Sequence, residues 1–148
     1  MTMPVEPGVV DANILVYAVN AAAPQHAASR SLLEAALDPA VSLYVTSQII
    51  CEFYSLITNP KRTAMAWSSA EAVQLISELL ASPGLKVLPT PAHAVAGLIE
   101  LLKRSAVTGS DVFDLQIIAT MHANNIYRIY TFNSSDFKVF PELDVVTP

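Results

Sequence analysis

The sequence predicts an α/β fold, a three-layer α/β/α sandwich around a central, mainly parallel sheet of about four to five strands. Short β-branched segments alternate along the chain with longer segments whose apolar residues recur at helical spacing. Of 148 residues, 53% are hydrophobic and only 14% are charged, which is enough apolar material for a large core. No repeat, low-complexity run or long linker interrupts this pattern. We therefore expect residues 1–148 to form a single domain.

The first predicted strand is Val9-Val10, and it ends on Asp11. Asn13 is predicted to cap a helix that runs from Ile14 to about Val19. Ligands of open α/β sheets bind beyond the carboxyl ends of the strands, which makes Asp11 a candidate functional residue. For a single Asp at such a place, a role in a turn or a cap is the alternative.

The remaining elements follow from the same patterns. Further strands are predicted at residues 41–45, 85–88 and 126–131, with a short edge strand at 145–146. Helices are predicted at residues 25–37, 48–58, 68–80, 90–106 and 111–124. Thr46 and Ser47 supply capping hydroxyls, Ser68 and Glu71 have the spacing of a capping box, and Asn124-Asn125 fits a left-handed helix end.

Composition limits the class of protein. A net charge of −5 excludes nucleic-acid binding by bulk electrostatics alone, although an acidic protein can act on phosphodiesters when a divalent metal neutralises its site. No apolar run is long enough to span a membrane, and the amino terminus lacks the pattern of a secretory signal, so we expect a cytoplasmic protein. The single cysteine, Cys51, excludes an intramolecular disulfide and is predicted to be an inert core thiol.

Acidic residues recur at strand ends and helix starts in this layout. They are Asp11 after the first strand, Glu52 in the helix after the second, Asp111 and Asp114 at the start of the helix before the fourth, and Asp136 in the loop after it. Two carboxylates about 4 Å apart repel by about 4 kcal/mol at an effective dielectric near 20. A divalent cation removes that penalty, and hard oxygen ligands favour Mg²⁺ or Mn²⁺ over zinc. Each acid alone has a structural explanation, so only the set indicates a metal site.

Four features in order resemble the PIN domain, and in particular the VapC toxins of bacterial toxin–antitoxin pairs. They are DANILVY at 11–17, Glu52 in the second long helix, DLQIIAT at 114–120 and TFNSSDF at 131–137. The resemblance covers essentially the whole chain. It implies a Mg²⁺-dependent endoribonuclease, with Mn²⁺ as a substitute ion, in which water attacks an RNA phosphodiester and leaves a 5′-phosphate and a 3′-hydroxyl.

The resemblance also implies roles for individual residues. Asp11, Glu52 and Asp114 correspond to the metal-binding acids of the family. Asn133 stands where the family often has a fourth acid, so its contact with a metal-bound water is expected to be weaker, and Asp136 is expected to replace part of the missing charge. The implied partners are an RNA substrate, a VapB-like antitoxin and a second copy of the chain in a homodimer, with no membrane.

For some conspicuous residues, a functional role is one interpretation and an ordinary structural role is the other. Asp111 is at best an accessory acid, and Lys61 and Arg62 either hold RNA phosphates or are ordinary solvated charges. The histidines, which are His26, His93 and His122, have no ligand spacing, and no motif supports a nucleophilic pair with Cys51. Phe53, Tyr54 and Trp67 belong either to the core or to an apolar groove for a partner, and a partner helix in such a groove would suit the large apolar fraction.

Other protein classes fit the sequence less well. A phospho-receiver module needs a paired acid at the first strand and a lysine after the last, where this chain has Thr131-Phe132. A haloacid-dehalogenase-like phosphatase needs a second Asp where Asn13 stands. A PIN-like RNA-binding or RNA-processing protein with weak or no catalysis stays open, because Asn133 replaces an acid.

Overall fold

The structure, a computed structural model, describes residues 4–63 and 65–148. Its centre is a five-stranded sheet in the order β3-β2-β1-β4-β5, and every neighbouring pair is parallel. The strands are β1 (Gly8–Val10), β2 (Leu43–Val45), β3 (Leu85–Val87), β4 (Arg128–Tyr130) and β5 (Asp144–Val146). The predicted parallel sheet is confirmed, and the predicted short strand near the carboxyl terminus does lie at an edge.

Among the described residues, seven helices connect successive strands, and the first six of them form two packed groups. They are α1 (Ala12–Ala18), α2 (His26–Ala35), α3 (Ser47–Thr58), α4 (Ser69–Leu80), α5 (Ala94–Arg104), α6 (Val112–Ala123) and α7 (Ser134–Phe137). Helix α1 packs on α2 and α3, α3 packs on α4, and α5 packs on α6. Right-handed crossovers that run in opposite directions along the sheet place these two groups on opposite faces, which gives the predicted three layers.

The direction of the chain reverses at the centre of the sheet. From β1 the chain builds β2 and β3 on one side, and it then crosses back to add β4 and β5 on the other side of β1. The crevice beyond the carboxyl ends of β1 and β4 is therefore the topological switch point, where ligands bind in open α/β sheets.

The core is continuous around this sheet. The inner strands are fully buried at Val9, Val10 and Ile129, and α6 is buried on nearly all sides from Leu115 to Met121. Because α6 is enclosed, its amino-terminal end is held firmly against the switch point. Within residues 4–63 and 65–148, no helix has the length and apolar character needed to cross a membrane.

Local sequence signals set several helix ends as predicted. The Thr46 hydroxyl accepts a hydrogen bond from the Ile49 N–H at 3.2 Å and caps α3. Ser68 and Glu71 form a reciprocal capping box at the start of α4. Asn125 adopts the left-handed conformation, with φ of 59°, just after α6.

Several local predictions were wrong. Helix α1 begins earlier than predicted, so Asp11 occupies the N-cap position and Asn13 lies inside the first turn. Cys51 is exposed on α3 and is not a core thiol, because its apolar neighbours face inward while it faces out. Helix α5 begins at Ala94, several residues after the predicted start at Thr90-Pro91.

The observed helices next to α6 and β4 also differ from the predicted ones. A 3-10 turn at Gly109–Asp111 precedes α6, which starts at Val112, and the short helix α7 was not predicted. The sequence of residues 61–67 predicts either a loop or a helical insertion, and Ala64 within it lies outside the described residues, as does the segment 1–3.

Gly84, just before β3, packs closely against the backbone that follows α2. A Cβ atom at this position would lie 2.6 Å from the Asp38 carbonyl oxygen and 2.7 Å from that of Ala36. Both atoms belong to the backbone and cannot rotate away. We predict that Gly84→Ala lowers the free energy of unfolding, measured by urea denaturation, by about 1–3 kcal/mol.

Gly97 provides the matched control. It is exposed on α5, and a Cβ atom there would meet nothing within 4 Å. Gly97→Ala should raise the free energy of unfolding by about 0.5–1 kcal/mol, because alanine loses less backbone entropy than glycine in a helix. Equal stabilities of the two variants would contradict the close packing at Gly84.

Candidate active site

Asp11 lies at the point where β1 ends and is only 6% exposed. Val10 pairs with Tyr130, so the next residues on the two strands, Asp11 and Thr131, lie side by side. The Thr131 hydroxyl donates to Asp11 Oδ2 at 2.8 Å, and the Ala12 N–H donates to Asp11 Oδ1 at 2.7 Å. These bonds fix the carboxylate at the switch point.

The Asn13 side chain joins the ends of β1 and β4. Its amide nitrogen donates to Asp11 Oδ2 and to Thr131 Oγ1, each at 3.1 Å. Its amide oxygen accepts a hydrogen bond from the Phe132 N–H at 3.2 Å. Asn13, predicted as a helix cap, is therefore a positioning residue for Asp11.

Glu52 reaches the site from the second turn of α3 and is partly buried. The Gln48 amide donates to Glu52 Oε1 at 2.8 Å and to the Phe113 carbonyl oxygen at 2.8 Å. Gln48 therefore ties α3 to the start of α6. Gln48 was not among the predicted site residues, although its position one helical turn before Glu52 is a signal for such a contact.

Asp114 lies in the first turn of α6 and is partly buried, whereas Asp111 is exposed in the preceding 3-10 turn. The helix N-terminus favours negative charge at both places. After β4, Asn133 and Asp136 are both exposed, and the Asn133 N–H donates to Thr131 Oγ1 at 3.0 Å.

The carboxylates are close enough to change each other's ionisation. Burial raises the pKa of Asp114 from 3.8 to about 7, and the negative charges of Asp11, Asp136, Glu52 and Asp111 add to the effect in that order. Repulsion from Asp136 thus exceeds repulsion from Glu52, so Asp136 belongs to the cluster electrostatically.

Burial is also the main reason why the pKa values of Asp11 and Glu52 are raised. For Asp11, hydrogen bonds from Thr131 and Ala12 oppose this effect, and the charge of Asp136 adds to it. For Glu52, the hydrogen bond from Gln48 opposes it and the charge of Asp11 adds to it. Together the acids form a region of concentrated negative charge, and none of these acids forms an ion pair with a Lys or Arg among the described residues.

The donor chemistry of this region fits a hard divalent cation. Carboxylates on separate elements converge at one crevice, and oxygen ligands of this kind suit Mg²⁺ or Mn²⁺. Within residues 4–63 and 65–148, no three His, Cys, Asp or Glu side chains are already disposed as a formed metal-binding set. The acids are therefore a grouped charge cluster whose side chains must draw closer to hold an ion.

Other residues singled out by the sequence lie in varied surroundings. His26 hydrogen-bonds the Tyr17 carbonyl oxygen at 2.8 Å, His93 is exposed, and His122 stacks against Tyr127. Lys61 is exposed, and Arg62 lines a cleft together with Glu52 and Asp114.

The aromatic residues divide between the two predicted roles. Phe53 is buried in the core, and Tyr54 and Trp67 are partly buried and pack against it. Trp67 also lines an open trough of about 570 Å³ with Val16, Val19 and Met65.

Comparisons with known proteins identify the family. The PIN-domain family matches residues 8–143. The ribonuclease VapC43 of Mycobacterium tuberculosis is 30% identical over 117 residues, which cover 78% of this chain and 79% of that protein, and a VapC ribonuclease of Mycobacterium bovis matches equally.

Solved structures show the same fold. VapC20 of Mycobacterium tuberculosis, a toxin that cleaves the sarcin–ricin loop, superposes with a TM-score of 0.69 at 19% identity, over 95% of this chain and 98% of that one. VapBC2 of Rickettsia felis, bound to a DNA fragment from its promoter, gives a TM-score of 0.65 at 20% identity, over 97% and 99% of the two chains. The chain belongs to the PIN-domain family, among its VapC ribonucleases.

Proposed function

We propose that this chain is a Mg²⁺-dependent endoribonuclease and the toxin of a type II toxin–antitoxin pair, with Mn²⁺ as a substitute ion. It hydrolyses an RNA phosphodiester by attack of water and leaves a 5′-phosphate and a 3′-hydroxyl. The observation that carries the proposal is the group of carboxylates at the switch point, where burial and then the neighbouring negative charges raise the pKa of Asp114 to about 7. We further propose that residues 1–148 act as one domain in the cytoplasm, since one sheet and one core span the described elements.

In this proposal Asp11, Glu52 and Asp114 hold the metal, with Asp111 as an accessory acid. A bound divalent cation supplies charge that stabilises the phosphate in the transition state and acidity for the attacking water. Asn13 and Thr131 hold Asp11 at the site, and Gln48 orients Glu52. Such outer contacts restrict the carboxylates to useful orientations.

We propose Asp136, and not Asn133, as the residue that takes the place of a fourth acid at the site. Its charge raises the pKa of both Asp11 and Asp114, whereas the Asn133 side chain makes no hydrogen bond in the part of the chain that the structure describes. Asn133 instead positions its own N–H against Thr131.

The proposed protein partners are an antitoxin and a second copy of this chain. Solved VapBC complexes share the fold, among them a toxin–antitoxin complex from Klebsiella pneumoniae with a TM-score of 0.63 at 18% identity. An apolar cleft of about 190 Å³ lies between α1, α2, α3 and α4, and Arg30 and Glu34 are among the residues that line it. An amphipathic antitoxin helix is a suitable occupant for such a cleft.

A second candidate function is RNA binding with weak catalysis, because Asn133 stands where the resemblance to the PIN domain implies a fourth acid. The two functions differ in whether the carboxylates are needed for RNA cleavage. The experiments below separate them.

We predict that Asp114→Asn lowers the rate of RNA cleavage by more than about a hundredfold, since even outer partners of a metal site are worth ten- to hundredfold. The circular dichroism spectrum should not change, because asparagine has nearly the same shape. Cleavage is measured by mapping RNA ends after brief induced expression, and with purified protein in Mg²⁺ and in EDTA. Asp11→Asn serves as a second inactive variant, and undiminished cleavage in EDTA or by Asp114→Asn would falsify the mechanism.

Stability should report metal binding independently of activity. Because the pKa of Asp114 rises from 3.8 to about 7 on folding, the metal-free folded chain binds more protons than the unfolded chain between these values. Its stability should therefore fall as the pH rises from about 5.5 to 8 in EDTA. The lowered pKa of His122, caused mainly by burial, acts in the opposite direction.

Asp114→Asn retains His122 and is therefore the matched control. In EDTA, the melting temperature of the unchanged chain should fall between pH 5.5 and 8 relative to that of the variant. At pH 8, Mg²⁺ should raise the melting temperature of the unchanged chain more than that of Asp114→Asn. Parallel pH curves for the two proteins would contradict the raised pKa of Asp114.

The fourth site acid can be identified by comparing two neighbouring variants. Asp136→Asn should lower kcat by about tenfold or more, because it removes a charge from the cluster. Asn133→Ala should leave kcat nearly unchanged, because its backbone N–H still reaches Thr131. A larger loss for Asn133→Ala than for Asp136→Asn would assign the fourth position to Asn133.

A further inference from the structure

A cleft of about 610 Å³ opens beside the acid cluster, between α3 and the start of α6. Glu52 and Asp114 form part of its wall, so the cleft is continuous with the proposed cleavage site. Arg62, Phe113 and Cys51 also line it, and none of these has a role in the chemistry proposed above.

Phe113 is unusual for its position. It precedes Asp114 on α6, the most enclosed helix of the fold, yet it is 50% exposed. The Gln48 side-chain amide donates to the Phe113 carbonyl oxygen and to Glu52, and it thereby holds the first turn of α6 next to Glu52. A large aromatic ring is therefore kept open to solvent at a fixed position next to the acids.

Arg62 is the cation of this cleft. Four of the eight Lys and Arg residues are paired with carboxylates, namely Arg30 with Glu34, Lys103 with Glu100, Arg104 with Glu142, and Arg128 with Glu6 and Asp144. No ion pair among residues 4–63 and 65–148 involves Arg62, although acids line the same cleft. Its guanidinium is available to an anionic ligand.

We propose that this cleft binds an unpaired stretch of RNA beside the cut phosphodiester, with a base stacked on Phe113 and a phosphate held by Arg62. The inference rests on the proposed ribonuclease function and adds the two residues of this chain, Phe113 and Arg62, that contact the RNA beside the cut. A base can stack on an aromatic side chain only when it has left the helical stack, so the cleft selects single strands and loops over duplexes.

The charges of the cleft favour RNA over a protein as its occupant. A single cation beside two acids matches a strand that places one phosphate near Arg62 and the next at the metal site. The acidic balance of the chain, −5 overall, gives little general attraction for a duplex, whose phosphates would need a broad basic surface.

The test measures RNA binding in a background that does not cleave. Asp11→Asn is purified in Mg²⁺ and titrated into a labelled single-stranded oligoribonucleotide, and into the same sequence as a perfect duplex. Adding Phe113→Ala should raise the Kd for the single strand by about five- to hundredfold, the usual value of one stacked base. Phe113→Trp should retain the affinity, and the duplex should bind more weakly than the single strand.

Tyr127→Ala is the control for loss of an exposed aromatic ring. Tyr127 is 47% exposed but precedes β4, at the opposite end of the sheet from the acids. Its removal should leave the Kd unchanged. Equal effects of Phe113→Ala and Tyr127→Ala would overturn the stacking assignment.

Salt dependence isolates the phosphate contact. Arg62→Ala should reduce the slope of log Kd against log salt concentration by about 0.7, the value of one phosphate contact with a single strand. Lys61→Ala removes the same charge from a neighbouring residue that does not line the cleft, and it should change the slope less. Equal slopes for the two variants would overturn the role of Arg62, and Phe113→Ala should leave the slope unchanged.

Cys51 supplies a direct report on occupancy, because it is exposed, lines the cleft and is the single cysteine of the chain. The single strand should slow alkylation of Cys51 in Asp11→Asn, and Phe113→Ala should remove this protection. Unchanged alkylation at saturating RNA would place the RNA elsewhere.

Two other outcomes would assign the cleft to a different occupant. If Phe113→Ala changes the oligomeric state in solution and leaves the RNA affinity unchanged, the occupant of the cleft is a second copy of the chain. Loss of neutralisation by the antitoxin with unchanged RNA affinity would identify that protein. Full cleavage by Asp11→Asn would overturn the proposed function, whereas loss of cleavage with no effect of Phe113→Ala would overturn only this inference.

Discussion

The pairing of β1 with β4 is the constraint on which the rest of the structure depends. It places Asp11 and Thr131 side by side, and the hydrogen bond of 2.8 Å between their side chains fixes the most buried carboxylate of the site. Residues separated by 120 positions in the sequence become neighbours only because the chain reverses direction at this pair of strands. The acids of α3 and α6 then approach the same crevice because their helices begin at that edge of the sheet.

Grouping these acids has an energetic cost that the fold has to carry. Burial and mutual repulsion raise the pKa values of Asp11, Glu52 and Asp114 together, so the ionised cluster opposes folding when no cation is bound. The cost is confined to a rim whose backbone is anchored by buried elements, among them β1 and α6. The same repulsion supports our proposal that the cluster binds a small divalent cation.

Much of the fold could be predicted because its signals are local. Alternating strand and helix patterns predicted the parallel sheet, and Ser68 and Glu71 predicted the start of α4. Asp11 follows β1 directly and Asp114 lies in the first turn of α6, so both stood near predicted element ends. The role of Asn13 could not be predicted, because its partner Thr131 lies 118 positions away. The outward orientation of Cys51 depends on which face of α3 meets the core. The hydrophobic pattern of the sequence does not show which face of α3 is buried, because apolar residues surround Cys51 in the sequence.

An acidic ribonuclease has to obtain its affinity for RNA from a few placed contacts. Here four of the eight Lys and Arg side chains are paired with acids on the surface, so these four add little to the attraction of a polyanion. What remains at the site is a carboxylate cluster suited to a divalent ion, one guanidinium at Arg62 and one open ring at Phe113. Contacts of this kind depend on geometry more than on total charge. They are satisfied by an unpaired strand that can present a base and a phosphate separately, and a regular duplex cannot do so without being opened.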